Sequence, residues 1–181
     1  PSDTAFQRCP GQNVPEQAPN GGRGVYIDKI HLGTIQDLGI LDSNNMGAAM
    51  APAAKKTIAD FLSDTGTKPS DYDAIFTGDL GSVGSQLLCE LMLKEEGIDI
   101  SAVHKDCGLM IYDRETQDVH AGGSGCGCSG SVLCSHILSG LHMGKYKNIL
   151  FVATGALMST VSSLQGQTIP GIAHLVNLRK G

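Results

Sequence analysis

The chain has 181 residues, 41% hydrophobic and 17% charged, which is about one domain's length with enough apolar material to bury a core. Thirteen Lys and Arg against eighteen Asp and Glu leave a net charge of −5 with no block of one sign. A phosphate backbone needs a basic face, so no nucleic-acid partner is expected.

Residues 1–24 carry Pro10, Pro15, Pro19 and four glycines with little apolar periodicity, which predicts a flexible arm or linker. The chain begins at Pro1 without methionine or a signal-like segment, and so reads as a fragment of something longer. The globular part is expected over 25–181. Val25–Ile35 is rich in β-branched residues and predicts a first strand. Asp42-Ser-Asn-Asn45 then offers capping side chains to a helix with apolar residues at Met46, Ala49, Met50, Ala53, Ala54, Ile58, Phe61 and Leu62. Pro52, inside that pattern, predicts either a kink or a later start.

Lys68–Asp71 reads as a turn and Asp73–Thr77 as a short buried strand. The glycine-rich turn Gly78–Gly84 leads to a helix expected over Ser85–Glu96, ended by Gly97. A strand is expected near Gly108–Tyr112, followed by the polar turn Asp113–Thr116. Next comes the loop His120-Ala-Gly-Gly-Ser-Gly-Cys-Gly-Cys-Ser-Gly-Ser131, running into a helical pattern from Val132 to about Met143. Asn148–Thr154 predicts a buried strand, and Gly171–Leu178 a last one after a Ser/Gln/Gly loop. The longest apolar run, Ile149–Met158, falls far short of the roughly 20 residues of a membrane span. The order β-α-β-α-β-α-β-β predicts an α/β layer on a five-stranded, mostly parallel sheet. Ligands of such sheets bind beyond the carboxyl ends of the strands. Gly78–Gly84, Lys105–Gly108 and the Gly/Cys loop are expected to share that edge.

Glycine lets backbone approach a ligand, and a helix start beyond such a loop presents unpaired N–H groups to an anion or oxyanion. Cys126-x-Cys128 has the residue types of a soft-metal or redox pair. No second clustered Cys/His pair accompanies it, so packed thiols are the commoner outcome and no metal is expected. Cys89 and Cys134 fall on apolar helical faces, and six cysteines in this length are too sparse for a secreted disulfide scaffold, which points to a reducing, intracellular setting. His104, His120 and His174 lie near loop or strand ends, as ligand contacts or as locally satisfied imidazoles, whereas His136 and His142 follow helix spacing. Asp79 and Asp106 read equally as general bases, cation ligands or turn residues.

Six segments recur together in this order: Asn44-Asn-Met-Gly-Ala-Ala-Met-Ala-Pro-Ala-Ala54, Thr77-Gly-Asp-Leu-Gly81, Asp106-Cys-Gly-Leu-Met-Ile-Tyr112, Gly122-Gly-Ser-Gly-Cys-Gly-Cys-Ser129, Val152-Ala-Thr-Gly-Ala-Leu157 and Thr168-Ile-Pro-Gly-Ile-Ala-His174. Over about residues 24–178 the chain resembles the C-terminal half of the stage V sporulation protein AD family, thiolase-fold proteins of endospore-forming bacteria. The resemblance implies a thiolase-like half-domain that binds dipicolinic acid (pyridine-2,6-dicarboxylate), free or as its calcium chelate, for uptake into the developing spore. It also implies a place peripheral to the spore inner membrane beside proteins of a membrane channel complex, and no cofactor. The fragment is expected to pair with an N-terminal half or with a second copy of itself.

Against condensing enzymes of this fold, the resemblance implies that the nucleophilic cysteine belongs to the absent half. The turn matching their catalytic histidine is Gly78-Asp-Leu-Gly81, without one, and Asp106-Cys-Gly108 stands where they place a second His or Asn. The oxyanion-type loop is matched to Gly125–Gly127. Binding without turnover is therefore expected, at Gly78, Asp79, Cys107, His120, Ser124, Gly125, Cys126 and Gly127, with Ser129 as a further hydroxyl. The other readings are an acyl-CoA-dependent thiolase or ketoacyl-synthase-like acyltransferase and a scaffold for membrane partners.

Overall fold

Residues 24–181 are described by the computed structural model, so the arm expected over residues 1–24 lies almost wholly outside the described residues. Strand β1 is Val25–His31. It stops short of the expected Ile35 because Gly33 turns its N–H to His174 Nδ1 at 3.2 Å instead of extending the ladder. Helix α1, Met46–Thr65, starts where Asn45 accepts the amide of Ala48 in its side chain. It runs unbroken through Pro52, so the proline does not delay the start. After the short turn Pro69–Asp71 come β2, Ala74–Thr77, and α2, Gly81–Glu96, closed at Gly97 as expected.

The strand expected at Gly108–Tyr112 is displaced. Strand β3 is the more polar His104–Asp106, beside β2, and Cys107–Met110 forms the helical turn α3. The third long helix begins at Cys126, six residues before Val132. It consists of α4, Cys126–Val132, a π-helical turn Leu133–Ile137, and α5, Leu138–Met143. Strand β4 is Asn148–Ala156, α6 is Thr160–Leu164, and β5 is Gly171–Lys180.

The sheet order is β1-β5-β4-β2-β3. Strands β4, β2 and β3 pair in parallel, and β5 pairs antiparallel with both β4 and β1, so four strands run one way and β5 alone runs against them. Alternation along the strands divides the core. Ile75, Leu150, Val152 and Leu175 pack against Ile58, Phe61, Leu88 and Met92 of α1 and α2. Ala74, Phe76, Ile149 and Phe151 face Val132, Ile137 and Leu141 of the α4–α5 layer. On the first face α1 and α2 meet backbone to backbone: a Cβ on Gly84 would lie 2.7 Å from the Gly47 carbonyl oxygen. The result is the α/β layer expected from the order of elements, with the carboxyl ends of β2, β3 and β4 on one edge.

Candidate functional site at the strand ends

Strand β2 leaves the sheet through Gly78. A Cβ there would come within 2.7 Å of Thr154 Oγ1 on β4, so only glycine lets the turn lie so close. The next residue, Asp79, joins two segments distant in sequence. Its Oδ1 accepts the Thr154 hydroxyl at 2.9 Å, and its Oδ2 accepts the Gly125 N–H at 2.6 Å. A charge-assisted bond donated by the Gly125 N–H to a carboxylate therefore anchors the Gly/Cys loop. Gly125 itself has φ +90°, open to glycine, and α4 begins directly after it.

Beneath this turn lies Asp106, 1% exposed. Its Oδ1 accepts the Thr77 hydroxyl at 2.7 Å and the Leu80 N–H at 2.9 Å, and its Oδ2 accepts the Gly81 N–H at 3.0 Å. A carboxylate from β3 thus caps α2, which explains why that helix starts at Gly81 and not at the expected Ser85. Burial pushes the Asp106 carboxyl up from its ordinary value, against the three hydrogen bonds that favour its charge. The loop is further fixed by Gly123 N–H to Gly108 O at 2.7 Å and by Ser82 N–H to Ala121 O at 2.9 Å.

Two loops and three strand ends therefore converge as expected, but the eight candidate residues divide. Ser124, Gly125, Cys126 and Gly127 are exposed and form the outer surface of the loop. Open space lies over Gly125 and Gly127, where a Cβ would meet nothing within 4 Å. The amides of Cys126 and Gly127, at the first turn of α4, have no acceptor among the described residues. Asp79 is half-buried between the loop and the turn.

Of the other three, two lie beneath that surface. Gly78 and Cys107 are buried, so they support the site without offering it a contact. His120, at φ +47°, has a side chain 90% exposed, with Asp118 Oδ1 at 3.9 Å from its Nδ1. The Gly125 amide, expected to face an external anion, is already engaged by Asp79.

The thiols separate in the same way. Cys126 is exposed and Cys128 buried. Burial and then the Asp106 charge push Cys107 up to about 12, and burial also raises Cys128, so neither is a thiolate nucleophile near neutral pH. Cys134 is exposed and Cys89 half-buried, so the expected packing on an apolar face fails for Cys134. Among the described residues no group of three His, Cys, Asp or Glu is placed to hold a metal ion, and no helix is long and apolar enough to cross a membrane.

Sequence reasoning missed Thr154, whose signal was a lone hydroxyl at the end of an apolar strand. It also missed Thr77, which ends β2 in the same way.

The family model for stage V sporulation protein AD matches residues 16–179. The chain belongs to the stage V sporulation protein AD family. It is 45% identical over 174 residues to stage V sporulation protein AD of Bacillus subtilis, covering 95% of this chain and 50% of that protein. Among solved structures, the 3-oxoacyl-(acyl carrier protein) synthase III of Pseudomonas aeruginosa shares 13% identity at a TM-score of 0.42, over 88% of this chain and 52% of the other. The corresponding synthase of Aquifex aeolicus shares 13% at 0.39, over 88% and 53%. The chain spans about half the length of the relatives it matches. Its two sheet-edge loops, Thr77–Gly81 and Gly122–Ser129, both lie inside the matched region.

Proposed function

We propose that this chain is the ligand-holding half of a sporulation protein, and that it binds dipicolinic acid for uptake into the developing spore without turning it over. The observation that carries this reading is the exposed loop 124–127, anchored by Asp79, with two amides that have no acceptor among the described residues and open space above its glycines. Free dipicolinate is a flat dianion at neutral pH, and in its calcium chelate the cation offsets that charge. One carboxylate suits the Cys126 and Gly127 amides, and the Ser124 hydroxyl is within the same exposed surface. Turnover finds little support: Cys107 and Cys128 are held un-ionised, and His104 lies under the turn.

A second feature favours a docking role alongside binding. Leu32, Ile35, Leu38 and Leu41 are exposed on one segment, and Leu157, Met158, Val161 and Leu164 on another. Both segments are hydrogen-bonded to residues 168–171, so they form one lobe at the end of the sheet. Exposed apolar area of this kind marks an interaction surface. We assign it to the remaining half of a full-length protein or to a second copy, with membrane-channel proteins as further partners and a position peripheral to the spore inner membrane. Light scattering on the isolated chain should show association; a stable monomer near 19 kDa contradicts the assignment.

Calorimetric titration of the full-length protein with pyridine-2,6-dicarboxylate tests the ligand. Saturable binding is expected, and no heat at large excess contradicts it. Incubation with acyl-CoA tests the acyltransferase alternative: no covalent acyl adduct is expected by mass spectrometry, and finding one overturns the non-catalytic reading.

A further inference from the structure

Behind the turn, a run of polar groups leads away from Asp106, through buried Thr77 to half-buried His104, Ser85 and Cys89. His104 Nε2 lies 2.9 Å from Thr77 Oγ1, and His104 Nδ1 lies 3.4 Å from Ser85 Oγ and 3.5 Å from Cys89 Sγ. Thr77 has one hydroxyl proton, and it goes to Asp106 Oδ1 at 2.7 Å. The backbone amides on both oxygens of Asp106 favour the ionised, accepting carboxylate. His104 Nε2 must then donate to Thr77, which fixes the imidazole as its Nε2–H tautomer with Nδ1 as acceptor. Ser85 and Cys89 both carry a proton for that acceptor. Every hydrogen bond in the run therefore points the same way, from α2 through His104 and Thr77 to Asp106.

We propose that His104, Thr77 and Asp106 form a positioning chain that holds the Leu80–Gly81 backbone, and through it sets the Asp79 carboxylate against the Gly125 amide. Asp106 takes the amides of the two residues that follow Asp79, so the direction in which Asp79 leaves the turn is set from below. Gly81 is at φ +65°, and a Cβ there would lie 2.8 Å from Ala121 O, so the turn has little room to re-form elsewhere. Burial holds His104 down to about 4, which keeps the imidazole neutral and the donor order fixed near neutral pH. Thr77 and His104 touch no ligand surface; they act through Asp106, and Asp106 acts through the turn. As a contribution to ligand binding, this chain rests on the reading that loop 124–127 holds the ligand.

The test compares T77V, which removes the hydroxyl and keeps the shape, with T77S, which restores it, in the full-length protein. The Gly125 amide proton reads the Asp79 contact directly, since a short bond to a carboxylate moves it downfield. T77V removes two hydrogen bonds, the one donated to Asp106 and the one accepted from His104, and is expected to move that resonance upfield and to weaken pyridine-2,6-dicarboxylate binding about tenfold, with T77S restoring both. If T77V lowers the melting temperature but leaves the Gly125 amide in place, the chain is a core support only and the proposal is overturned. If T77V moves the amide while the wild type never binds the dicarboxylate, the positioning stands and the ligand reading falls. A measurement on the wild type alone removes dependence on the variants' folding: imidazole nitrogen shifts should report His104 as the Nε2–H tautomer. The Nδ1–H tautomer overturns the proposal.

Discussion

Two carboxylates one layer apart do opposite jobs. Asp106 is enclosed, and three donors from β2 and the start of α2 fill its oxygens. Asp79 is half-buried, and its two partners, Thr154 and Gly125, come from elements 75 and 46 residues away. The first builds a frame by tying β3 to the single segment Thr77–Gly81, and the second uses that frame to carry a loop whose outer face is left free. A site assembled this way can lose its loop without losing its fold, but not the reverse.

The largest expected effect comes from breaking the frame. D106A leaves the Leu80 and Gly81 amides and the Thr77 hydroxyl unsatisfied in the interior, and should cost about 4 kcal/mol of stability, read as a lower urea midpoint. A midpoint within experimental error of the wild type would show that the enclosed carboxylate does not organise the turn.

Acid probes the same frame through His104. Its folded value of about 4 lies below the ordinary 6.5, so the unfolded chain takes up the proton first. The stability it contributes is present above pH 6.5 and is lost as pH falls from 6.5 through 4, about 3 kcal/mol in all. The raised Asp106 carboxyl works in the other direction, favouring the folded state at low pH and losing that contribution as pH rises through its folded value. The difference between wild type and H104Q isolates the histidine: the variant's stability curve should be flatter between pH 4 and 6.5. Parallel curves would place His104 in contact with water.

Breaking the loop anchor should be milder for the fold. D79A removes two hydrogen bonds at a half-buried position and is expected to cost about 1 kcal/mol, while increasing amide exchange over residues 122–129. A loss as large as that of D106A would erase the distinction between frame and loop. The smallest effect on stability is expected from G127L. Its Cβ points into open space, so unfolding should change by less than about 0.5 kcal/mol while dicarboxylate binding weakens about tenfold.

Much of the frame was legible in the sequence because its signals are local. The Asn45 cap and the apolar period gave α1, and the apolar run from Ile149 gave β4. The strand β3 was not legible. Gly108–Tyr112 has the apolar character of a strand, whereas His104-Lys-Asp106 forms one because it pairs with β2, a contact invisible to a window of neighbouring residues. The same limit applies to the site. Glycine-rich turns at Gly78 and Gly125 stand out in the sequence, and Asp79 is conspicuous beside the first. That its carboxylate would consume the Gly125 amide depends on two loops meeting across the sheet edge, so the amides left without an acceptor among the described residues fall one residue later, at Cys126 and Gly127.

The most direct measurement is a titration of the isotopically labelled full-length protein with pyridine-2,6-dicarboxylate, followed at the backbone amides. Saturable shifts centred on Cys126 and Gly127, with smaller ones at Gly125, are the predicted result. Saturable binding that leaves residues 124–127 unmoved would contradict the assignment of this loop as the ligand site.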